Sequence, residues 1–350
     1  MDAAGNPSTS AFDFSTRLRA WFFLFRPWSY TATLIPFLLA AGLVFGFVGT
    51  GGEWVHWGHW ALGLVAGIFF QSTVNLLNTW GDERSGVDNV PGAIRTTPQV
   101  HRGLVSMKAV LVAGLSCAAL ASLLGVGLCF YQEYGTWYFN LVLLGAGFVG
   151  FLGSLNYSTG IKFKYRGLGV PFVSFLMGPL EIFVALALLM PHDVIAVVHP
   201  LIFACFLLWT LPNAALVGVI MHGNDMRDIP SDRAAGIVTL ASWLGPCRAL
   251  SYYRICHILP YGACLACFVL FQTASHCELG NLNGSSFAFL LPFLCLPLTI
   301  KTLRTATSVY RACPENPSWR GLERSSGGIL FVFGFLYALV LPLVRLLATL

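Results

Sequence analysis

Two short segments of this sequence combine asparagine and aspartate at helical spacing. Each offers one asparagine and two aspartates: Asn78, Asp82 and Asp88 in the first, and Asn224, Asp228 and Asp232 in the second. Residues four apart lie on one face of a helix end, and Gly86 lets the first segment turn back before its last aspartate. Clustered carboxylates repel one another unless a cation lies between them, and hard oxygen ligands in this number suit Mg²⁺. The two segments therefore predict a magnesium site.

Basic residues accompany both acidic segments. Arg95 and Arg102 follow the first, Arg227 and Arg233 lie in the second, and Lys162 and Lys164 lie in a polar stretch between them. The chain has only 15 acidic residues, and six of them fall in the two segments. Carboxylates that hold a metal, beside cations that bind oxyanions, are typical of a site for a diphosphate leaving group.

The composition indicates that these segments belong to a membrane protein. Of the 350 residues, 56% are hydrophobic and 10% are charged, against about 25% charged in soluble domains. Nine apolar runs are long enough to cross a bilayer; they lie at 29–48, 60–80, 108–130, 137–155, 169–190, 201–221, 251–271, 287–303 and 329–347. We therefore predict an all-α, polytopic fold. The two acidic segments are expected in loops at 78–102 and 222–239, after the second and sixth spans and hence on the same side.

The charge distribution predicts an orientation for these nine spans. If the N-terminus is cytosolic, every Lys and Arg except Arg345 falls on the cytosolic side. The loops on the other side carry only acidic residues, namely Glu53, Glu133, Asp193 and Glu278. This is the positive-inside asymmetry, so the N-terminus and both acidic segments are expected in the cytosol.

The sequence predicts one membrane domain, 26–350, behind a cytosolic segment, 1–25. The N-terminus is polar and carries Asp2 and Asp13 before the first apolar run, so no cleavable signal peptide is expected. The membrane concerned is left open among a bacterial inner membrane, the endoplasmic reticulum, the Golgi and the mitochondrion.

Other interpretations of the same features were considered. Cys264 and Cys267 form a CxxC pair inside an apolar run without a second pair, which favours two buried structural thiols. A secondary transporter would place its acids near the bilayer midplane rather than at one face. A phosphotransferase acting on a nucleotide-linked diphosphate would be expected to carry one compact acidic motif rather than two.

The motifs resemble those of the UbiA superfamily of membrane prenyltransferases. The first segment resembles that family's Asn-x-x-x-Asp-x-x-x-Gly-x-Asp signature, in the version of the MenA and UbiA prenyltransferase domain-containing branch. The stretch 224–241 is similar to the second signature of the same branch, and the stretches 26–29 and 157–165 are similar to two further motifs. The specific motifs cover 26–241, and the last three spans are similar only in general character.

The resemblance implies nine helices around a central cavity, with roles for particular residues. By analogy with the family, Asn78, Asp82 and Asp88 would form one Mg²⁺ site, and Asn224, Asp228 and Asp232 would form the other. The four aspartates would be the catalytic residues. The diphosphate would be bound by Asn78, Asn224, Arg95, Arg102, Tyr157, Lys164 and Arg227. The family usually has an acid soon after the Lys164 stretch, following a glycine, but here Gly169 is followed by Val170. Glu181, within the fifth span, is one substitute for that acid, and a structural pairing within the bundle is the alternative.

The implied reaction is Mg²⁺-dependent transfer of a prenyl group from its diphosphate to an aromatic acceptor. Charge stabilisation on the diphosphate would ionise the allylic carbon–oxygen bond, and an electron-rich ring carbon would capture the cation in a water-poor cavity. The branch favours a naphthalenoid acceptor, 1,4-dihydroxy-2-naphthoate or menadiol, in menaquinone (vitamin K) biosynthesis. Homogentisate, 4-hydroxybenzoate and haem stay open as acceptors. The expected partners are the prenyl diphosphate, the acceptor and the lipid bilayer, with no nucleic acid.

Overall fold

A computed structural model describes residues 13–47, 55–85, 98–131, 137–157, 160–190, 200–275, 285–315 and 317–348. The all-α prediction is confirmed, because the described part of the chain contains helices and a single isolated bridge between Arg166 and Val238. The helices are α1 (Phe14–Phe25), α2 (Thr31–Phe47), α3 (Trp57–Ser85), α4 (Pro98–His101), α5 (Met107–Tyr131), α6 (Trp137–Leu155), α7 (Gly169–Phe175), α8 (Glu181–Leu189), α9 (Pro200–Ala234), α10 (Leu240–Ser275), α11 (Leu296–Ala312), α12 (Leu322–Ala338) and α13 (Val340–Ala348).

The membrane-spanning segments agree with the apolar runs of the sequence. Within the described ranges, eight helical segments are long and apolar enough to cross a membrane, and a shorter apolar helix covers Asn140–Gly153. That shorter helix lies within α6, where the fourth run was predicted. The eighth run is divided between a 3-10 helix, Ser285–Cys295, and α11. The ninth is divided between α12 and α13.

Within the described residues, the acidic motifs lie at the ends of helices, whereas the sequence predicts them in loops. Helix α3 continues to Ser85 and helix α9 to Ala234, so the described part of the first segment and the whole Asn224–Asp232 motif are helical. Within a helix, backbone N–H groups donate hydrogen bonds to backbone carbonyl groups, so the backbone needs no other partners. The spacing of the acids places their side chains on one side of the helix. A helix can therefore carry them as far as the membrane surface without a loop.

Two spans are interrupted at glycine and proline. A π-helical turn, Leu176–Leu180, joins α7 to α8 and contains Pro179. The side chain of Asn213 donates a hydrogen bond of 2.6 Å to the Met177 carbonyl in this turn, which satisfies a backbone acceptor inside the bundle. In α10, Gly245 adopts φ 75°, and the helix direction changes there.

The buried core lies between the N-terminal and C-terminal helices of the bundle. Helix α2 packs against α8 and α12, and α9 packs against α10 and α12. Leu39, Ile182, Ile329 and Phe333 are almost fully buried in this core. Large apolar side chains on α5, such as Leu123 and Phe130, point outward, as expected for a surface that contacts lipid. The arrangement fixes α3 and α9, the two helices that carry the acidic motifs.

Candidate active site

Lys164 lies at the centre of the candidate site. Its ammonium group contacts both oxygens of the Asp82 carboxylate, at 3.0 and 2.9 Å, and the Tyr165 hydroxyl donates a hydrogen bond to the same carboxylate. The Asp82 side chain is buried, with 4% of its surface exposed. A carboxylate in this position requires a cation, which Lys164 supplies.

The backbone around Lys164 holds it in place between α6 and α7. A 3-10 helix, Phe163–Tyr165, carries it, and its amide donates to the Tyr157 carbonyl at 2.9 Å. Lys162, just before this turn, adopts a left-handed conformation with φ 59°. Two residues after Lys164, Arg166 bridges to Val238, just beyond the end of α9. This bridge ties the lysine segment to the helix that carries the second acidic motif.

The last turns of α9 carry three aspartates, of which Asp225 and Asp232 face Lys164. At 100° per residue, Asp225 and Asp232 lie about 20° apart around the helix axis, and Asp228 lies between them and Asn224. The side chains of Asp225 and Asp232 are close enough to interact electrostatically with each other and with Lys164. The Thr239 hydroxyl, in the segment after α9, donates to Asp232 at 3.0 Å. The carboxylates of α3 and α9 thus meet around one lysine, since Asp232 also interacts electrostatically with Asp82.

Asp225 is a member of this cluster that the sequence analysis did not assign to the site. Only 8% of the residue is exposed, so it belongs to the buried part of the cluster. The sequence contained the signal, because Asp225 precedes Asp232 by seven residues, which is two helical turns. A motif defined by four-residue intervals from Asn224 contains Asp228 and Asp232 but not Asp225.

Arg227 neutralises Asp228 in the same turn of α9. Its Nε and one terminal nitrogen each lie 2.7 Å from an Asp228 oxygen, in a bidentate pair. The other terminal nitrogen donates to the Asn224 side-chain oxygen at 3.2 Å and to Glu323 of α12 at 3.4 Å. Asp82 and Asp228, two of the metal ligands implied by the resemblance, are therefore each paired with a cation that the resemblance implies as a diphosphate ligand.

Helix α3 is fixed by the stretch 26–29, the first of the resemblance motifs. Arg26 has the left-handed φ of 51° and ends α1. Its guanidinium donates to the Thr79 hydroxyl at 3.4 Å, and the Asn75 amide donates to the Phe25 carbonyl and to Ser29 at 2.8 and 2.9 Å. These bonds hold α3 in the turns that carry Asn78 and Asp82.

Electrostatics keep Lys164 charged and Tyr157 neutral. Burial acts to lower the pKa of Lys164, but the Asp82 carboxylate, with Tyr165 and Tyr157, outweighs it, so that the pKa is raised above its ordinary value. Burial, helped by the carboxylate of Asp225, raises the pKa of Tyr157 well above its ordinary value. Tyr157 therefore offers a phenolic hydroxyl, which can donate one hydrogen bond to an anion.

The donor atoms fit a hard cation, although Asp82 and Asp228 are each paired with a basic side chain in the structure. Asn78 has a buried side-chain oxygen with no hydrogen-bond partner among the described residues, and an amide oxygen is a ligand that Mg²⁺ accepts. In the described ranges, no three His, Cys, Asp or Glu side chains are already arranged as a metal site. The reason is visible in the contacts: Asp82 and Asp228 point at Lys164 and Arg227. A magnesium ion would have to replace these cations.

Among the described residues, Arg102, Lys162 and Arg233 do not join this cluster. Asp88 and Arg95 lie outside the described residues. The side chains of Arg102 and Lys162 are exposed. Arg233 lies about 100° around the α9 axis from Asp232 and lines a separate small cavity with Met226, Pro246 and Trp319.

Glu181 lies within the span and outside the Lys164 cluster. Gly169 packs directly on Lys164, whereas Glu181 begins α8, 12 residues after Gly169 and beyond the π-helical turn Leu176–Leu180. Its carboxylate lies beside Gly67 of α3, and Gly67 precedes Asp82 by about 22 Å of helix. One Glu181 oxygen is buried without a hydrogen-bond partner in the described part of the chain.

The two thiols of Cys264 and Cys267 are free and buried in α10.

The chain is similar to proteins of one family over most of its length. A model of the UbiA prenyltransferase family matches residues 20–315. The UbiA prenyltransferase domain-containing protein 1 of Homo sapiens is 30% identical over 318 residues, which cover 89% of this chain and 82% of that protein. The protein of the same name from Danio rerio is 30% identical over 333 residues, covering 94% and 87%.

Solved structures show the same fold. A UbiA homolog from Archaeoglobus fulgidus, bound to GPP and Mg²⁺, superposes with a TM-score of 0.55 at 17% identity and covers 95% of this chain and 100% of its own. An apo UbiA homolog from Aeropyrum pernix K1 superposes with a TM-score of 0.55 at 12% identity and covers 87% and 96%. At these identities the superpositions establish the helical architecture and no more.

Proposed function

Because this chain belongs to the UbiA prenyltransferase family and is therefore a prenyltransferase of the membrane, we propose that it transfers a prenyl group from a prenyl diphosphate to a naphthalenoid acceptor. The acceptor is 1,4-dihydroxy-2-naphthoate or menadiol, and the product belongs to menaquinone (vitamin K) biosynthesis. Support for this acceptor class comes from the two acidic signatures, which are in the version of the MenA branch. Family membership also favours the enzyme over a secondary transporter.

The observation that carries the proposal is the meeting of two acidic helix ends around one lysine. Lys164 is in contact with Asp82 of α3 and interacts electrostatically with Asp225 and Asp232 of α9. Three acids around one ammonium leave a negative balance. Such a balance is suited to divalent cations, and the cations beside it are suited to a diphosphate.

In this proposal, the acidic side chains hold Mg²⁺ and the basic side chains hold the diphosphate. Asn78, Asp82 and Asp88 supply one set of metal ligands, and Asn224, Asp228 and Asp232 supply the other, to which we add Asp225. Bound Mg²⁺ would neutralise charge that builds up on the leaving diphosphate. The UbiA homolog from Archaeoglobus fulgidus has been solved with GPP and Mg²⁺ together, which supports the same pairing of ligands here.

Binding must exchange the partners of two ion pairs. Lys164 leaves Asp82, and Arg227 leaves Asp228, so that each carboxylate is free for metal and each cation is free for phosphate oxygens. Arg227 has the geometry for bidentate binding of a phosphate, and Lys164 binds as a point charge. Tyr157, Arg95 and Arg102 complete the diphosphate ligands. Since neither half of the exchange is favourable alone, Mg²⁺ and diphosphate should bind cooperatively.

The chain also has to protect the allylic cation from water. The cluster lies at the ends of apolar spans, so the prenyl chain can extend among apolar side chains away from the acids. We further propose that the N-terminus and the active-site end of the bundle are cytosolic, with 1–25 preceding a membrane domain 26–350. The distribution of Lys and Arg supports this orientation.

The proposal is tested with the purified protein, Mg²⁺ and geranylgeranyl diphosphate. Dihydroxynaphthoate, menadiol, homogentisate and 4-hydroxybenzoate are offered separately, and products are identified by mass spectrometry. We expect a prenylated naphthalenoid product that is lost with EDTA and in Asp82→Asn and Asp228→Asn. Asp13→Asn is the matched control, because it makes the same change at an exposed aspartate.

Prenylation of homogentisate or 4-hydroxybenzoate alone would contradict the naphthalenoid acceptor and leave the metal site in place. Product formation that is unaffected by EDTA or by the Asp82 and Asp228 changes would contradict the metal site itself.

A further inference from the structure

Glu323, in the first turn of α12, is an acidic residue at the site that belongs to neither aspartate motif. One of its oxygens lies 3.4 Å from a terminal nitrogen of Arg227. Its other oxygen is buried and has no hydrogen-bond partner among the described residues. The Glu323 side chain is 17% exposed and that of Arg227 12% exposed, so the pair is largely shielded from water.

The approach of α12 to α9 is built into the packing. A Cβ atom on Gly223 would lie 3.3 Å from the Glu323 backbone nitrogen, so the glycine allows the first turn of α12 to pack against α9. Tyr253 of α10 donates to the Leu322 carbonyl and is hydrogen-bonded to Ser326 at 2.8 Å, which fixes the same turn from the other side. The packing of the first turn of α12 against α9 and α10 therefore fixes the backbone of Glu323 beside Arg227.

The contacts of Arg227 would respond differently to metal binding. Asn224 and Asp228 are both proposed metal ligands, so the bonds they give Arg227 are weakened or lost when Mg²⁺ takes their oxygens. Glu323 stands outside the motifs and keeps its contact. Without it, a guanidinium released from Asp228 would be free to rotate away from the site.

We propose that Glu323 is a positioning residue that retains the Arg227 guanidinium beside the diphosphate when Asp228 turns to the metal. This inference rests on the proposed function. It assigns an effect on substrate binding to the C-terminal part of the bundle, where the sequence resembles the family only in general character. Glu323 reaches the substrate only through Arg227.

The sign of the effect distinguishes this role from simple electrostatics. If Glu323 acted only as a negative charge near an anion site, Glu323→Gln would tighten diphosphate binding. If Glu323 positions Arg227, Glu323→Gln weakens diphosphate binding. A neutral amide holds the guanidinium less firmly than a carboxylate does, so the guanidinium is less often beside the diphosphate. We expect the positioning effect to win, since the Glu323 charge is already directed at Arg227.

The experiment measures binding of inorganic pyrophosphate in the presence of Mg²⁺ by isothermal titration calorimetry, with the purified full chain. We expect Glu323→Gln to raise the dissociation constant about five- to tenfold, the size typical for loss of one hydrogen bond. Glu323→Asp should recover most of the affinity, and Glu315→Gln, the same change at an exposed acid, should have no effect. In prenyl transfer, Glu323→Gln should raise KM for the diphosphate more than it lowers kcat.

A double-mutant cycle with Arg227→Gln decides the path of the effect. In that background, Glu323→Gln should weaken binding no further; equal weakening in both backgrounds would overturn the proposal, as would tighter or unchanged binding by Glu323→Gln alone. Should Glu323→Gln fail to fold, the same cycle is run with Glu323→Ala, which also removes the carboxylate. Absence of Mg²⁺-dependent pyrophosphate binding in the wild type would instead overturn the proposed function, and with it this inference.

Discussion

Replacement of Lys164 by methionine tests whether this side chain stands in the place of a metal ion. Asp82 has 4% of its side chain exposed and Lys164 18%. Removal of one partner from a buried pair costs about 3–5 kcal/mol, because the other charge is left uncompensated. Some water reaches Lys164, and the Tyr165 hydroxyl still donates to Asp82, so we expect about 3 kcal/mol for Lys164→Met in the absence of metal.

The distinctive consequence is a change in how Mg²⁺ stabilises the protein. In the wild type, Mg²⁺ must displace the Lys164 ammonium before it can bind Asp82, and this displacement offsets much of its binding energy. In Lys164→Met, Mg²⁺ supplies the missing positive charge. Mg²⁺ should therefore raise the melting temperature of the variant more than that of the wild type, by several degrees.

The assay is thermal unfolding in detergent, with EDTA and with millimolar Mg²⁺, for the wild type, Lys164→Met and Lys162→Met. Lys162 is two residues away and exposed, so Lys162→Met should behave as the wild type. Prenyl transfer should be lost in Lys164→Met at every Mg²⁺ concentration, since the diphosphate loses a ligand. An equal Mg²⁺ shift in Lys164→Met and the wild type would refute the idea that lysine and metal compete for one carboxylate.

Three further changes test other parts of the structure. Asp225→Asn should lower kcat/KM on the order of a hundredfold, because a buried member of the acidic cluster loses its charge; a loss below threefold in the prenyl-transfer assay would exclude it from the site. Thr239→Val removes the hydroxyl that donates to Asp232 without changing side-chain volume, and should lower kcat/KM about tenfold, with wild-type activity as the contrary result. Asn213→Leu leaves the Met177 carbonyl without its donor and should reduce stability by about 1 kcal/mol, while activity per folded molecule stays near that of the wild type; an unchanged melting temperature would show that the bond contributes nothing.

The sequence predicted most of the membrane architecture because hydrophobic length is a local property. A run of about 20 apolar residues has to cross the bilayer as a helix whatever its neighbours are. The helices therefore coincide with the runs, as at 137–155. The predicted ends of α3 and α9 were wrong. The polar residues there were predicted in loops, but a helix can carry polar residues past the membrane surface.

The sequence predicted which residues form the site but not which of them contact one another. The spacing of Asn78 with Asp82 and of Asp228 with Asp232 marked two acidic helix faces. That Lys164 lies between these faces depends on the bridge from Arg166 to Val238, which joins residues far apart in the chain. No local pattern contains that information.

The amino-acid sequence by itself determined which residues can do the chemistry, because carboxylates, amides and cations have fixed charges and their spacing sets the helix face they occupy. The tertiary structure decided which of them meet. It brought Asp225 and Glu323 to the cluster, and it placed the Glu181 carboxylate beside Gly67 of α3. Electrostatic interactions weaken with distance and with water between the charges, so the function of each acid depends on packing between helices that the sequence does not specify locally.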